Sequence, residues 1–431
     1  MTRAEPILMA LRNGVVPPEG LEYLATGLEP LTEAVQAELD AAANGTSSIK
    51  WVRGSYGAGK TFTTRYLCEV ARQRGFATAE VQISVNDTPL HHLETVYRRL
   101  IERLTTKVDG VGAFRAVVDG WLYEVGEEVT RLTGISEDDP SFIDETEKRL
   151  QVKLADLSTH SSSFARVLGA YHRAQADGDF ASAQGLVSWL GGDPHVGRAV
   201  LGKAGVKGKV DGQAALTFLR GLLLLLRQSG YKGLVVVLDE VETIQRMNAQ
   251  TRDKSLNVLR QFIDMTGNDE LPHLYMLITG TPDFYESHKG IRGYEALHQR
   301  VSVKLDPNFP NWRAKQVALL AFDAERLRAV GRKVRTLFPE SVQERVDDPF
   351  LDALIRSLTE RFGGQVSITP RLFLRELVDV LDKTAQYDSY VPMEHHELHL
   401  DEDALAPSEL AALNRDDAPP AAKPRRARLD D

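Results

Sequence analysis

Eight consecutive residues, Gly-Ser-Tyr-Gly-Ala-Gly-Lys-Thr at positions 54–61, constrain this fold more than any other feature. They fit the spacing G-x-x-x-x-G-K-[ST], in which the later glycines permit positive φ and let successive backbone N–H groups turn inward around an anion. Such a loop needs a strand before it and a helix N-terminus after it, because the helix adds partial positive charge at the anion. Both flanks comply. Ser48 to Val52 ("SIKWV") is a β-prone run, and Phe62, Tyr66, Leu67 and Val70 recur at helical spacing up to Gly75. The stretch predicted to contact phosphate is Gly54, Ser55, Tyr56, Gly57, Ala58, Gly59, Lys60, Thr61 and Phe62. Lys60 is placed to reach the β- and γ-phosphates of a bound nucleotide, and the Thr61 hydroxyl can ligate Mg2+.

A glycine-rich turn alone could carry that pattern, but a second motif accompanies it. In "YKGLVVVLDEVETI", Leu234 to Leu238 is a continuous apolar run of the length of a buried parallel strand, and it ends in Asp239 and Glu240. Adjacent carboxylates at the end of a buried strand are costly unless they have a task. Beside a phosphate loop, Asp239 holds magnesium and Glu240 polarises the attacking water. A third strand, in "HLYMLITGTPDFY", ends at Thr279 and Thr281, placed to sense a γ-phosphate or the attacking water. A plain Thr-Pro turn is the alternative there.

These motifs predict an α/β fold with a parallel sheet, and the rest of the 431 residues is organised around it. Residues 1–45 read as an N-terminal helical segment, and 46–310 as the core. From about 88 to 228 the α/β alternation gives way to helical periodicity, a large insertion between the second strand and the Asp-Glu strand. Residues 311–404 read as a helical C-terminal lid that begins with "WRAKQVALLAFDAERLRAVGR", and 405–431 as a polar, Pro/Ala-rich tail, predicted to be disordered. The net charge of −9 excludes a uniformly cationic surface and restricts any DNA contact to a local patch. Cys68 is the only cysteine, which excludes an internal disulfide and fits a reducing, cytoplasmic setting. The most apolar run, "GLLLLLRQ", is far shorter than the ~20 residues of a membrane-spanning helix.

"GSYGAGKTF", the insert containing "VSWLGGDP", "YKGLVVVLDEVETI", "ITGTPDFYE" and "SITPRLFLRELVDVLD" together resemble the ATP-binding proteins of BREX-type phage-resistance loci, the small D-type component that accompanies a helicase. That family is in turn similar to AAA+ ATPases of the origin-recognition type. The resemblance covers nearly the whole chain before the tail. It implies a P-loop, AAA+-like ATPase with a three-layer core, acting in anti-phage defence. Such a protein would form homo-oligomers, use ATP to control assembly, or load or regulate a partner helicase or effector on DNA, contacting DNA directly or through that partner. A nucleotide-gated scaffold with little turnover is the alternative.

The same resemblance implies arginines that complete the site. Arg300, in "YEALHQRVSVKL", sits where an arginine finger is expected, with Arg292 as a rival, and Arg371, in "TPRLFLREL", sits like a sensor-2 arginine. Guanidinium groups stabilise phosphoryl charge spread over several oxygens; a structural ion pair is the alternative for each. Asn86 could hold Glu240 in an inactive pose, or serve the turn in which it lies. "MEHHELHLDED", with His395 and His399, lacks the order of a metal motif and reads as solvated, while Trp121 and Trp189 read as core.

Overall fold

The computed structural model describes residues 4–136, 138–319, 322–361 and 370–397. In chain order they begin with α1 (Ala4–Arg12), α2 (Glu29–Ala43), β1 (Ser48–Arg53), α3 (Lys60–Gln73) and β2 (Ala77–Gln82). A helical block follows: α4 (Leu93–Glu102), α5 (Phe114–Thr133), α6 (Phe142–His160), α7 (Ser162–Ala176), α8 (Phe180–Leu190), α9 (Arg198–Lys203) and α10 (Gly212–Gln228). The chain then forms β3 (Leu234–Asp239), α11 (Ala249–Gly267), β4 (Leu274–Gly280), α12 (Pro282–Glu286), α13 (Glu295–Val301) and β5 (Gln316–Ala318). It closes with α14 (Ala324–Arg335), α15 (Glu340–Arg345), α16 (Asp348–Arg361), α17 (Pro370–Gln386) and α18 (Pro392–His395).

The described elements cluster into two compact units, residues 28–54 with 60–319, and the described residues of 1–27, 55–59 and 322–397. The first holds a five-stranded parallel sheet in the order β2-β3-β4-β1-β5. Its strands are apolar on both faces, as a parallel sheet covered twice requires. Val235 and Val237 of β3 pack with Leu31, Val35 and Leu39 of α2 and with Leu67 and Cys68 of α3, while Val236 and Leu238 pack toward α4, α10 and α11. The crossover through α3 moves one way along the sheet on one face, and the crossover through α11 moves the other way on the opposite face. Movement in opposite senses on opposite faces gives both connections the same hand, as βαβ units demand.

Register decides where the ends of the strands fall. Arg53 pairs with Gly280 and Gln82 with Asp239, so the carboxyl ends of β1, β3 and β4 finish at one edge of the sheet. The helical insertion enters after β2 and returns to the adjacent β3. It is continuous with the core rather than appended to it: Phe218 of α10 makes edge-to-face contacts with Tyr97, Phe164 and Trp189 at centroid separations of 5.9, 5.4 and 5.5 Å. Trp121 and Trp189 are buried, and each indole N–H is satisfied, by Gln228 Oε1 and by the Gly208 carbonyl, both at 2.9 Å.

One expectation fails in this unit. The helical pattern that begins at Trp312 is not realised from its start, because Gln316–Ala318 is the edge strand β5, paired with Trp51–Arg53. A second surprise is Lys50, in the middle of β1 and only 1% exposed. Its ammonium has three donors and all are used: it pairs with Glu38 Oε1 at 2.7 Å and donates to the carbonyls of Trp312 (2.8 Å) and Ala314 (3.1 Å). Tyr275 in turn donates to the other Glu38 oxygen at 2.6 Å. A buried cation is tolerable here because every hydrogen finds an acceptor.

Cys68 of α3 is fully buried, and burial pushes its thiol well above the usual range. The thiolate is the reactive species. Native protein is therefore expected to resist a maleimide for hours and to react within minutes once unfolded in denaturant; fast native labelling would show that α3 opens.

The second unit is helical. Within it α1 packs along α17, clamped by a two-point bond from Arg12 to Asp382 (2.7 and 2.9 Å), and Gly331 of α14 gives the Phe373 ring of α17 room to approach. The predicted tail lies outside the described residues.

Candidate functional site

The site is built at the carboxyl ends of the central strands. β1 runs into the glycine loop, where Gly57 and Gly59 have φ of +77° and +81°, the left-handed conformation that the spacing requires. Gly54, the first residue of the loop, donates its N–H to the Gly280 carbonyl at the end of β4 (3.1 Å), which anchors the loop to the sheet. Ala58 is buried and Tyr56 exposed, with Phe62 half-buried on the first turn of α3. Lys60 opens α3, and its side chain is only 8% exposed. Its ammonium donates to the Gly54 carbonyl at 2.9 Å.

Two strands away from β1, Asp239 stands at the end of β3 and is held at both carboxylate oxygens. Thr61 Oγ1 donates to Oδ2 at 2.8 Å, and Thr279 Oγ1 donates to Oδ1. The Thr61 hydroxyl and the Asp239 carboxylate thus form an adjacent pair of hard oxygen donors, of the type that suits a magnesium ion bound together with phosphate. Thr279 is fully buried at the end of β4, and its hydroxyl also accepts the Glu240 N–H (3.2 Å). It organises the Asp239-Glu240 pair directly, while Thr281 caps the start of α12 without a side-chain bond.

Glu240 has φ of +58°, a left-handed backbone rare for a residue with a Cβ. The chain leaves β3 there and enters a 3-10 turn, Val241–Arg246. The Glu240 N–H bonds to Asp239 and Thr279 fix this turn, and the Glu240 carboxylate accepts no hydrogen bond among the described residues. A strained backbone that aims a free carboxylate is the kind of feature that concentrates at functional sites.

The 3-10 turn also delivers a residue that the sequence reading passed over. Glu242 is 5% exposed, and both its carboxylate oxygens are buried without a hydrogen-bond partner. Its nearest countercharge is Lys60 Nζ, at 3.8 Å. Burial raises the Glu242 carboxyl above the ordinary glutamate range, with Lys60 pulling it back down. Burial likewise lowers the Lys60 ammonium, opposed by the charges of Glu242, Asp239 and Glu240. The only signal available in sequence was a third carboxylate in "DEVETI", set between apolar residues.

The remaining candidates lie elsewhere or are differently engaged. Arg300 is exposed on α13, donating to Asp264 Oδ1 (2.9 Å) and to the Ala296 carbonyl (2.8 Å). Arg292 is exposed on a short 3-10 turn, Ile291–Gly293. Arg371 is exposed on the first turn of α17, in the other unit. Asn86 is exposed at a turn in which Ser84 Oγ accepts the N–H groups of Asp87 and Thr88. His395 bonds its own backbone turn at Val391, and His399 lies outside the described residues. Among the described residues no helix is long and apolar enough to cross a membrane.

A family model described as BREX system ATP-binding protein BrxC/D matches residues 1–399. No curated protein and no solved structure matches the chain significantly.

Proposed function

The chain belongs to the BREX system ATP-binding protein BrxC/D family, and from that membership we propose that it is an AAA+-like, magnesium-dependent ATPase of bacterial anti-phage defence. It would work in the cytoplasm as a homo-oligomer, with ATP binding controlling its assembly or the loading or regulation of a partner helicase or effector on DNA. The observation that supports hydrolysis is the convergence of Lys60, Thr61, Asp239, Glu240 and Thr279 on one edge of the sheet.

Each residue then has a task that its position suits. The loop from Gly54 to Phe62 cradles the phosphates with its N–H groups, and Lys60 moves from the Gly54 carbonyl to the β- and γ-phosphate oxygens. Thr61 and Asp239 would hold Mg2+, which neutralises phosphate charge when bound. Glu240 orients a water in line with the γ-phosphate and accepts its proton. Thr279 keeps Asp239 and the Glu240 backbone fixed while this happens. Arg371 is proposed for the sensor-2 role at the chain's own site, and the C-terminal helices for the role of a lid. Arg300, or Arg292, would serve the site of a neighbouring copy; Arg300 must first leave Asp264.

The test is steady-state ATP hydrolysis over a range of protein concentrations, with and without duplex DNA, using Lys60→Ala as the blank. Turnover per chain is expected to rise with concentration, because an arginine from a second copy completes each site. Tight ATP binding with no turnover under any of these conditions would make the chain a nucleotide-gated scaffold instead.

A further inference from the structure

Between Pro194 and Val210 the helical insertion carries Arg198, Lys203, Lys207, Lys209 and His195 and not one carboxylate, in a chain whose net charge is −9. The segment is sorted by depth. Leu201, Ala204, Val206 and Val210 are buried, while Gly202, Lys203, Gly205, Lys207, Gly208 and Lys209 face outward. The Trp189 indole clamps the segment by donating to the Gly208 carbonyl at 2.9 Å. It is therefore a fixed ridge of cations and glycines and not a loose loop.

Three further observations define what the ridge can hold. Arg198, Lys207 and Lys209 make no ion pair among the described residues, whereas Lys203 between them does. The neighbouring acids are already engaged: Asp179 pairs with Lys203, Asp193 accepts the His195 N–H, and Asp211 caps α10 through the Ala214 N–H. Gly205 and Gly208 have φ of +63° and +74°, the left-handed backbone that favours glycine, while a Cβ added at Gly197 or Gly202 would meet nothing within 4 Å. What they provide is a bare backbone flanked by free cations, which an extended polyanion can approach closely.

We propose that this ridge binds the phosphate backbone of nucleic acid. An acidic protein face is the rival partner, but protein interfaces are built around buried aromatic and apolar anchors and are depleted in lysine. Phe180, exposed next to the Asp179 that pairs with Lys203, is a single apolar side chain and not a cluster of anchors. Nucleic-acid interfaces are polar and strongly cationic, with much of the contact made to phosphates. The inference stands apart from the nucleotide site and survives if the chain does not hydrolyse ATP.

The experiment measures fluorescence anisotropy of labelled 30-mer duplex and single-stranded DNA of mixed sequence against the full chain, across a salt series, with and without ATP. The Arg198→Ala/Lys207→Ala/Lys209→Ala variant is expected to bind at least tenfold more weakly at low salt. The dependence of log affinity on log salt should flatten by roughly 2 to 3 for duplex, about one counterion per lost phosphate contact. Nucleotide binding by the variant should match wild type, which shows that the fold is retained. The duplex and single-strand arms decide which form the ridge prefers. Equal affinity and salt slope for wild type and variant would overturn the proposal, as would no DNA binding by the wild type in any condition. Displacement of DNA by polyglutamate as effective, charge for charge, as by unlabelled DNA would also overturn it and point to an acidic protein.

Discussion

Replacement of Lys60 by Met is expected to abolish nucleotide binding and also to lower the stability of the nucleotide-free protein by about 3 kcal/mol at pH 7. The second effect follows from Glu242, whose buried oxygens have no hydrogen-bond donor and only Lys60 for a countercharge. Without the lysine, the carboxylate must take up a proton in order to stay buried. That costs ~1.4 kcal/mol for each pH unit above an ordinary glutamate pKa of about 4.3, which bounds the loss near pH 7. The sign with pH is fixed by burial, which raises the folded-state pKa. A group of this kind contributes its full stability below its unfolded pKa and loses it as pH rises toward the folded value. The deficit should therefore be small near pH 4.5 and grow steadily toward neutrality. Lys60, lowered by its own burial, gives wild type a contribution of the other kind, present above the ordinary lysine range and lost as pH falls through the folded value. Denaturant unfolding between pH 5 and 8 measures the difference. The double variant Lys60→Met/Glu242→Gln should recover most of the stability and none of the nucleotide binding. A single variant as stable as wild type at every pH would mean that Glu242 does not depend on Lys60.

Glu240→Gln is expected to reduce ATP turnover by about 10²- to 10⁴-fold, the range that a positioned general base contributes, while leaving nucleotide affinity within a few-fold of wild type. The amide has the shape of the carboxylate, and the bonds that hold the turn come from the Glu240 backbone N–H, so the turn should persist. What disappears is the capacity to accept a proton. Turnover and nucleotide binding measured on the same preparation separate the two. Unchanged turnover would place the base on another residue; a parallel loss of binding would mean that the side chain supports the loop and does not act on water.

Much of this was readable from residue order because the decisive features are local. The glycine spacing, the apolar run that ends in Asp239-Glu240 and the helical periodicity of the insertion each report on their own neighbourhood. Three features were not readable, and each depends on residues distant in sequence. β5 is a strand because Gln316–Ala318 finds the free edge of β1; taken alone, "AKQVALLAF" has a helix-like pattern. Lys50 looks like a solvent-facing residue in a strand, and is buried because Glu38 and the carbonyls of Trp312 and Ala314 surround it. Glu242 is carried inward by a 3-10 turn that begins at a left-handed residue, a conformation that side-chain identity gives no reason to expect at a glutamate. The division of the chain at residues 27 and 320 was equally hidden, since no change in composition marks either position.

The strand order also sets a timetable for synthesis. β1, which leads into the phosphate loop, lies between β4 and β5, so neither of its neighbours exists when it leaves the ribosome. From Arg53 to Leu274 roughly 220 residues must still be added, on the order of 10 to 45 s at ~5–20 residues per second. Over that interval an apolar strand with two open edges has nothing to pair with, whereas β2 waits only for β3. The nascent chain should therefore acquire its nucleotide affinity abruptly and late, after β4 emerges, and a ribosome stalled before that point should hold a chain that binds chaperones and not ATP.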